Sequence, residues 1–331
     1  MKSKKKYFGF VLSLGFLANP VFQSTAFART SMEQAWPLRV RMQMSRLTDI
    51  GFKLGVIAAP LCPSKRAGMG IMLDYIQAYD PKDRPAIAAL LKLGDAPQIA
   101  AVAPGSPADM AGIMPGDELL AIGRLSIATL QHEPTDKTLL ADQLEDRLAA
   151  SPIGTGISLE LRRGHRTFLA SLTPLPVCAA RFILKTDEEI AAYTDGSNIA
   201  ISTKLITFTL NDDEVALVAG HELAHIVYRD SEARNLRHRR WLEDRADALG
   251  ARLMQCAGYQ AELGSRYWDR REQTDALRAF RSPTHRSRKA RAALIRSEAA
   301  LSSCPPDIHY PVLEQSHGSA RRAAARPVGS D

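Results

Sequence analysis

The sequence predicts an α+β chain in which a mainly helical C-terminal half follows a smaller β-rich unit. Three observations predict it. Apolar residues at helical spacing fill 215–227 and again 242–254. Short apolar stretches broken by Gly, Pro and Asp turns occupy residues 68–173. A chain of 331 residues with 45% hydrophobic content has room for two modest cores.

The first 28 residues read as an export leader. Lys2, Lys4, Lys5 and Lys6 form a basic start, residues 7–18 an apolar stretch too short to span a membrane, and Ala26-Phe27-Ala28 a small-x-small cleavage site. Cleavage is expected after Ala28, leaving Arg29 as the mature start; an uncleaved N-terminal anchor is the alternative. No cysteine follows the apolar stretch, which argues against a lipoprotein. No later stretch reaches the about 18 apolar residues of a spanning helix, so no transmembrane span is expected in the mature chain. Loss of the four leader lysines reduces the formal charge from +7 to +3, with 39 basic against 36 acidic residues. That balance gives no reason to expect a nucleic-acid partner. The strongest basic cluster, Arg234, Arg237, His238, Arg239 and Arg240, could meet anionic lipid or acidic substrate, or form a plain solvated loop.

Residues 38–57 carry loosely helical apolar spacing through Met42, Leu47, Ile50, Leu54 and Ile57, as in a helix packed on the following domain. Next comes a strand at 99–102, a turn through Pro104-Gly105-Ser106-Pro107-Ala108, then Ala111-Gly112, and Pro115-Gly116-Asp117 before a strand at 118–122. Residues 136–148 read as a helix, and 156–162 with 166–172 as a closing hairpin. This order resembles a bacterial PDZ domain. The resemblance implies capture of a peptide end by strand addition, with Gly68, Met69, Gly70 and Ile71 as the carboxylate loop. A rigid spacer or lid is the other use of such a unit.

His221-Glu222-Leu223-Ala224-His225 carries the chemistry. Residues four apart share a helix face, so both imidazoles project together, with Glu222 beside them to take a proton from a metal-activated water. Asn211 reads as the N-cap of this helix, with Glu214 three residues on. A wholly apolar helix would bury a histidine pair at high cost unless the pair held a metal. Zinc needs a third protein ligand and an open position. Glu243 and Asp247, four apart on the next helix, supply a carboxylate ligand and a carboxylate to orient a ligand histidine. Ala246 between them lets two helices approach.

His-Glu-x-x-His followed by Glu-x-x-Ala-Asp resembles the HtpX-type zinc metallopeptidases, which include the CAAX prenyl proteases and the periplasmic BepA-like enzymes. The likeness runs from about Cys178 to Cys304 and implies a mainly helical zincin domain of the gluzincin type. It assigns one Zn2+ per chain to His221, His225 and Glu243, general-base work to Glu222, and the orienting role to Asp247. Thr284-His285 and Arg291 resemble the family's late Thr-His-Pro…Arg element, placing His285 and Arg291 toward the substrate oxyanion; Arg286 stands where the family has proline. The strand 198–203 would present Ile199 and Ile201 as an edge that pairs with extended substrate. The absence of later spans favours the exported, periplasmic branch.

The expected organisation is therefore a signal peptide at 1–28, a helical segment at 29–62, the PDZ-like unit at 63–175, the peptidase domain at 176–305, and a disordered tail at 306–331. Four cysteines in an oxidising compartment suggest two disulfides. Cys62 with Cys178 and Cys256 with Cys304 is the favoured pairing of the three possible, with free buried thiols as the alternative. The expected function is zinc-dependent cleavage of misfolded or unassembled envelope proteins, with peripheral membrane contact as a further expectation. Two alternatives stay open: a non-proteolytic peptide-binding adaptor or holdase with a structural zinc, and an enzyme whose PDZ-like unit blocks the cleft.

Overall fold

The computed structural model describes residues 35–132, 136–230, 233–274, 284–300 and 303–304. The expected leader with its cleavage site, and the tail from 306, lie outside the described residues.

Helix α1 (Trp36–Ala58) opens with proline in its first turn and buries Leu47, Ile50 and Leu54 completely, while Met42 of the expected stripe is exposed. Two glycines inside α1 serve packing. A Cβ at Gly51 would fall 2.7 Å from the Phe182 ring, and one at Gly55 would touch Val177 at 3.4 Å. The helix cost of glycine is accepted so that α1 can lie against the strands leading into the C-terminal half.

The β-rich unit follows in short pieces. These are β1 (Lys65–Gly68), β2 (Ile71–Asp74), α2 (Arg84–Leu91), β3 (Gln98–Val102), α3 (Pro107–Met110), β4 (Glu118–Ile122), β5 (Leu125–Ser126), α4 (Ile127–His132), α5 (Leu140–Ala149), β6 (Ile157–Arg163) and β7 (Arg166–Leu172). Five strands form an antiparallel sheet in the order β2-β3-β4-β6-β7, with β5 paired to β4. Leu140, Leu144 and Leu148 lie four apart on α5 and are buried in the cluster that includes Ile99, Leu119, Leu159 and Leu161.

Strand β8 (Leu175–Cys178) pairs with β1 in a two-stranded antiparallel ribbon, Lys65 opposite Cys178. Cys62 and Cys178 are disulfide-bonded beside it. The chain thus passes between the two cores, near residue 175, as paired backbone closed by a covalent link.

The C-terminal half holds β9 (Arg181–Lys185), β10 (Ala192–Thr194), β11 (Asn198–Ser202), α6 (Thr203–Phe208), α7 (Asp212–Tyr228), α8 (Leu236–Cys256), α9 (Ala261–Thr274) and α10 (Arg288–Ala300). Its core is shared with α1: Leu47, Ile50 and Leu54 join Ile199, Leu217, Leu249, Leu253 and Ile295 in one cluster. Cys256 and Cys304 form the second disulfide. The described residues are mixed α and β, and none of their helices is long and apolar enough to cross a membrane.

One expectation is corrected here. The strand carrying Ile199 and Ile201 is not an edge: β11 lies between β10 and β9, antiparallel to one and parallel to the other. Both side chains are 0% exposed. Alternating apolar residues mark a buried face equally well on a central strand, so periodicity could not separate the two cases. The outer strands are β10 and β9.

Candidate metal centre

Helix α7 starts where Asn211 accepts the Glu214 amide at 3.0 Å, and the Glu214 carboxylate in turn accepts the Leu210 amide at 3.0 Å. Its body is apolar on every side because α1, α8, α9 and β10 all pack on it. Crossing α8 brings backbone against backbone. A Cβ at Gly220 would fall 2.9 Å from the Gly250 carbonyl oxygen, and one at Gly250 would fall 2.7 Å from the His221 nitrogen. Only a glycine pair permits this approach, and it carries Glu243 to the histidines.

His221 Nε2 and His225 Nε2 are 3.2 Å apart. Glu243 Oε2 lies 3.4 Å from the first and 3.6 Å from the second. Each residue offers one donor atom to the same point, and these atoms lie within 4.8 Å of one another. Tetrahedral zinc with ligands at about 2.0–2.2 Å sets its donors about 3.3–3.6 Å apart, so the separations fit.

The outer ring nitrogens are both engaged. His221 Nδ1 meets Asp247 Oδ1 at 2.9 Å, and His225 Nδ1 meets Asp230 Oδ2 at 2.7 Å. With each Nδ1–H donating to a carboxylate, two neutral rings turn their Nε2 lone pairs and a carboxylate oxygen onto one spot. That convergence is repulsive unless a proton or a cation fills it. Without metal, a proton does. Burial opposes charge on His221, but hydrogen bonds to Asp247 and Glu243 outweigh it and hold the imidazole up at about 9. Burial would likewise raise Glu243, yet its contacts with His221, His225 and His285 bring it far below the usual carboxylate range.

Asp247 is buried and doubly used. Its oxygens accept Arg291 Nε at 2.7 Å and a terminal guanidinium nitrogen at 2.6 Å, besides facing His221. Arg291 is 6% exposed, with its guanidinium 3.8 Å from the centre of the Trp268 ring. Arg291 lines the same cavity as Glu222 and His285, but its guanidinium is committed to Asp247 rather than left free for an oxyanion. A buried carboxylate needs a paired cation, and Arg291 provides it for Asp247. His285 stands at the rim, its side chain 33% exposed, with Nε2 2.9 Å from Glu243 Oε2. The Glu222 side chain makes no hydrogen bond or ion pair among the described residues, and it lines with His221 a cavity of about 350 Å³.

Asp230 was not anticipated. Arg229 ends α7 in the left-handed region at φ 52°, which turns the Asp230 amide back onto the His225 carbonyl at 3.0 Å. The carboxylate then reaches His225 and also pairs with Arg245, whose guanidinium lies 4.4 Å from the Tyr228 ring centre and 4.2 Å from that of Trp241. An acid five residues beyond the second histidine, just past the helix end, was the available signal.

Gly68, Met69, Gly70 and Ile71 line neither cavity beside this centre. They line a cavity of about 100 Å³ together with Gly51 and Phe52 of α1 and Arg181 and Phe182 of β9. Gly70 has φ 74°, and a Cβ there would strike Ser106 at 2.2 Å. On the outer edge of β2, the Leu73 amide donates to Glu145 Oε1 at 2.7 Å, and Arg181 reaches Glu145 at 3.1 Å.

Residues 169–239 match the model of Peptidase family M48, a span that contains His221, Glu222 and His225 and stops short of Glu243. A Synechocystis protein described as "Putative serine protease HhoB" is 31% identical over 75 residues, which are 23% of this chain and 15% of that protein. Among solved structures, the HtrA-type protease AlgW with a decapeptide is similar at 21% identity and TM-score 0.25, covering 34% of this chain and 30% of that one. A second AlgW structure, a variant, gives TM-score 0.24 with 34% and 29% covered. The chain thus spans a minor part of these relatives. The family match supports a protease.

Proposed function

We propose that the chain is a zinc-dependent endopeptidase. The observation that carries this reading is the convergence of His221, His225 and Glu243 on one point, with Glu222 unpaired in the adjoining cavity. Zn2+ held there would acidify a water and polarise the scissile carbonyl. Glu222 accepts the proton of the attacking water and passes it to the leaving amine. Asp247 and Asp230 hold the two imidazoles in the tautomer that presents Nε2. His285, partly exposed at the rim, is the remaining candidate to face the developing oxyanion.

Extended substrate would pair with β10 rather than with β11. Ala192 borders the cavity on the Glu222 side and Thr194 the groove on the His225 side, so one strand runs past both. Backbone pairing tolerates many sequences and suits unfolded or unassembled envelope proteins in a periplasmic setting, after cleavage of the leader behind Ala28. The PDZ-like unit at 63–175 would take peptide ends at Gly68–Ile71, a step that must displace the Glu145 carboxylate from the β2 edge. Metal analysis of the purified protein beside casein digestion, with and without chelator, tests the reading. One zinc per chain and digestion abolished by chelator and by E222Q are expected. Digestion that survives E222Q with metal bound would refute it.

A further inference from the structure

The His225 side of the metal centre is bordered by cations that the proposed hydrolysis does not use. A groove of about 670 Å³ is lined there by His225, Asp230, Thr194, Asp195, Arg229 and Arg239. Arg229 is exposed, placed by the left-handed turn that ends α7. Arg234 and Arg237 follow, exposed, at the start of α8. Among the described residues Arg229, Arg234 and Arg237 pair with no acid, while Arg239 stands 3.8 Å from Glu243 Oε1.

The two acids that line the groove are both engaged. Asp230 is held by His225 and Arg245. Asp195 accepts the amides of Ser197 and Asn198 at 2.9 and 2.7 Å and the Asn198 side chain at 2.8 Å, which keeps its carboxyl well below the usual range. Arg234 and Arg237 lie at the N-terminus of α8, where the backbone is already positive, whereas Arg229 caps the C-terminus of α7. The first turn of α8 contains no acid. Each cation placed there costs stability, where an acid would add to it. Local stability therefore does not explain Arg234 and Arg237; attraction of an anion toward the groove does.

We infer that this groove receives an acidic stretch of the polypeptide substrate, on the His225 side of the scissile bond. The inference rests on the peptidase reading and adds a substrate class to it. Arg229 and Arg239 lining a concavity that includes His225, with Arg234 and Arg237 close by in the chain, suit a chain threading the cleft better than a flat headgroup surface.

The test uses zinc-loaded full-length chain carrying E222Q and three labelled decapeptides, alike except for alternate glutamate, glutamine or lysine. Anisotropy at low salt should show the glutamate peptide bound about tenfold more tightly than the glutamine one, from a few exposed charge pairs. The preference should shrink at high salt. The exposed changes R229N/R234Q/R237Q, with asparagine chosen to tolerate the left-handed position, should bring the ratio to within about twofold. Equal binding of the glutamate and glutamine peptides, or a ratio untouched by the triple variant, overturns the inference. So does capture by phosphatidylglycerol vesicles that needs the three arginines while peptide preference is absent, which would make the patch a lipid contact. Casein digestion by the wild-type chain separates the two readings: digestion without acidic preference sinks this inference alone, and acidic preference without digestion sinks the peptidase.

Discussion

Replacing Gly250 with alanine tests whether the metal centre depends on the crossing of α7 and α8. The added Cβ would lie 2.7 Å from the His221 nitrogen, 2.9 Å from the Gly220 carbonyl carbon and 3.0 Å from the His221 Cα. All three are helix backbone, so no side chain can swing aside. Comfortable carbon contacts begin near about 3.5 Å, so the helices must part by about 0.7 Å. In an unobstructed helix the same change stabilises by about 0.5–1 kcal/mol. Overpacking at a tight contact costs about 1–3 kcal/mol. The expected net is a loss of about 1–2 kcal/mol, or about 3–6 °C in Tm. Glu243 lies two turns earlier on the same helix, and metal sites tolerate ligand shifts of only about 0.2 Å. Zinc affinity should therefore fall about 10- to 100-fold. Differential scanning fluorimetry and competition against a fluorescent zinc chelator measure the two effects. Gly156, whose built Cβ meets nothing within 4 Å, serves as the control substitution. A G250A protein with raised Tm, or with zinc affinity within about twofold of wild type, would refute the reasoning.

D247A leaves the Arg291 charge buried and unpaired, and urea unfolding should show a loss of about 3–5 kcal/mol; adding R291M should restore part of it. D230N keeps the shape and one acceptor at His225 but removes the charge, so zinc affinity should weaken about tenfold or more in the chelator competition. The pH dependence of zinc uptake has a definite sign. His221 is raised from 6.5 to about 9 in the metal-free protein, so its contribution to metal-free stability is full below 6.5 and is lost as pH rises through 9. Zinc must displace that proton, so affinity should rise about tenfold per pH unit across this window and flatten above it, read by isothermal titration in buffers of different ionisation enthalpy.

Much of the centre was legible because one helix states it. His221, Glu222 and His225 fall on one turn, and the spacing of Glu243 and Asp247 repeats that face on the next helix. The N-cap at Asn211 and the helix α1 also follow from local chemistry, and the even cysteine count implies two disulfides, although parity leaves three pairings possible. Other features depend on contacts between distant segments. Arg291 and His285 carry charges that suit an oxyanion as well as they suit a carboxylate, and only the buried position of Asp247 decides for Arg291. Ile199 and Ile201 alternate in the same way on a central strand as on an edge.

The role of glycine shows the limit most clearly. Ala246 is small and central between the two acids, and by size alone it is the natural place for the helices to touch. The contact lies four residues later, at Gly250 against Gly220 and His221. Position around a helix can be read from spacing, whereas the height at which two helices cross depends on what each packs against on its other faces. Here α1, α9 and β10 press on α7, and α10 on α8. Zinc chemistry is thus written in residues that a motif can find, but the distance between its ligands is governed by two glycines that carry no chemistry. A substitution at either should therefore injure metal binding without altering a ligand, and a scan confined to His, Glu and Asp would miss the residues that set the geometry.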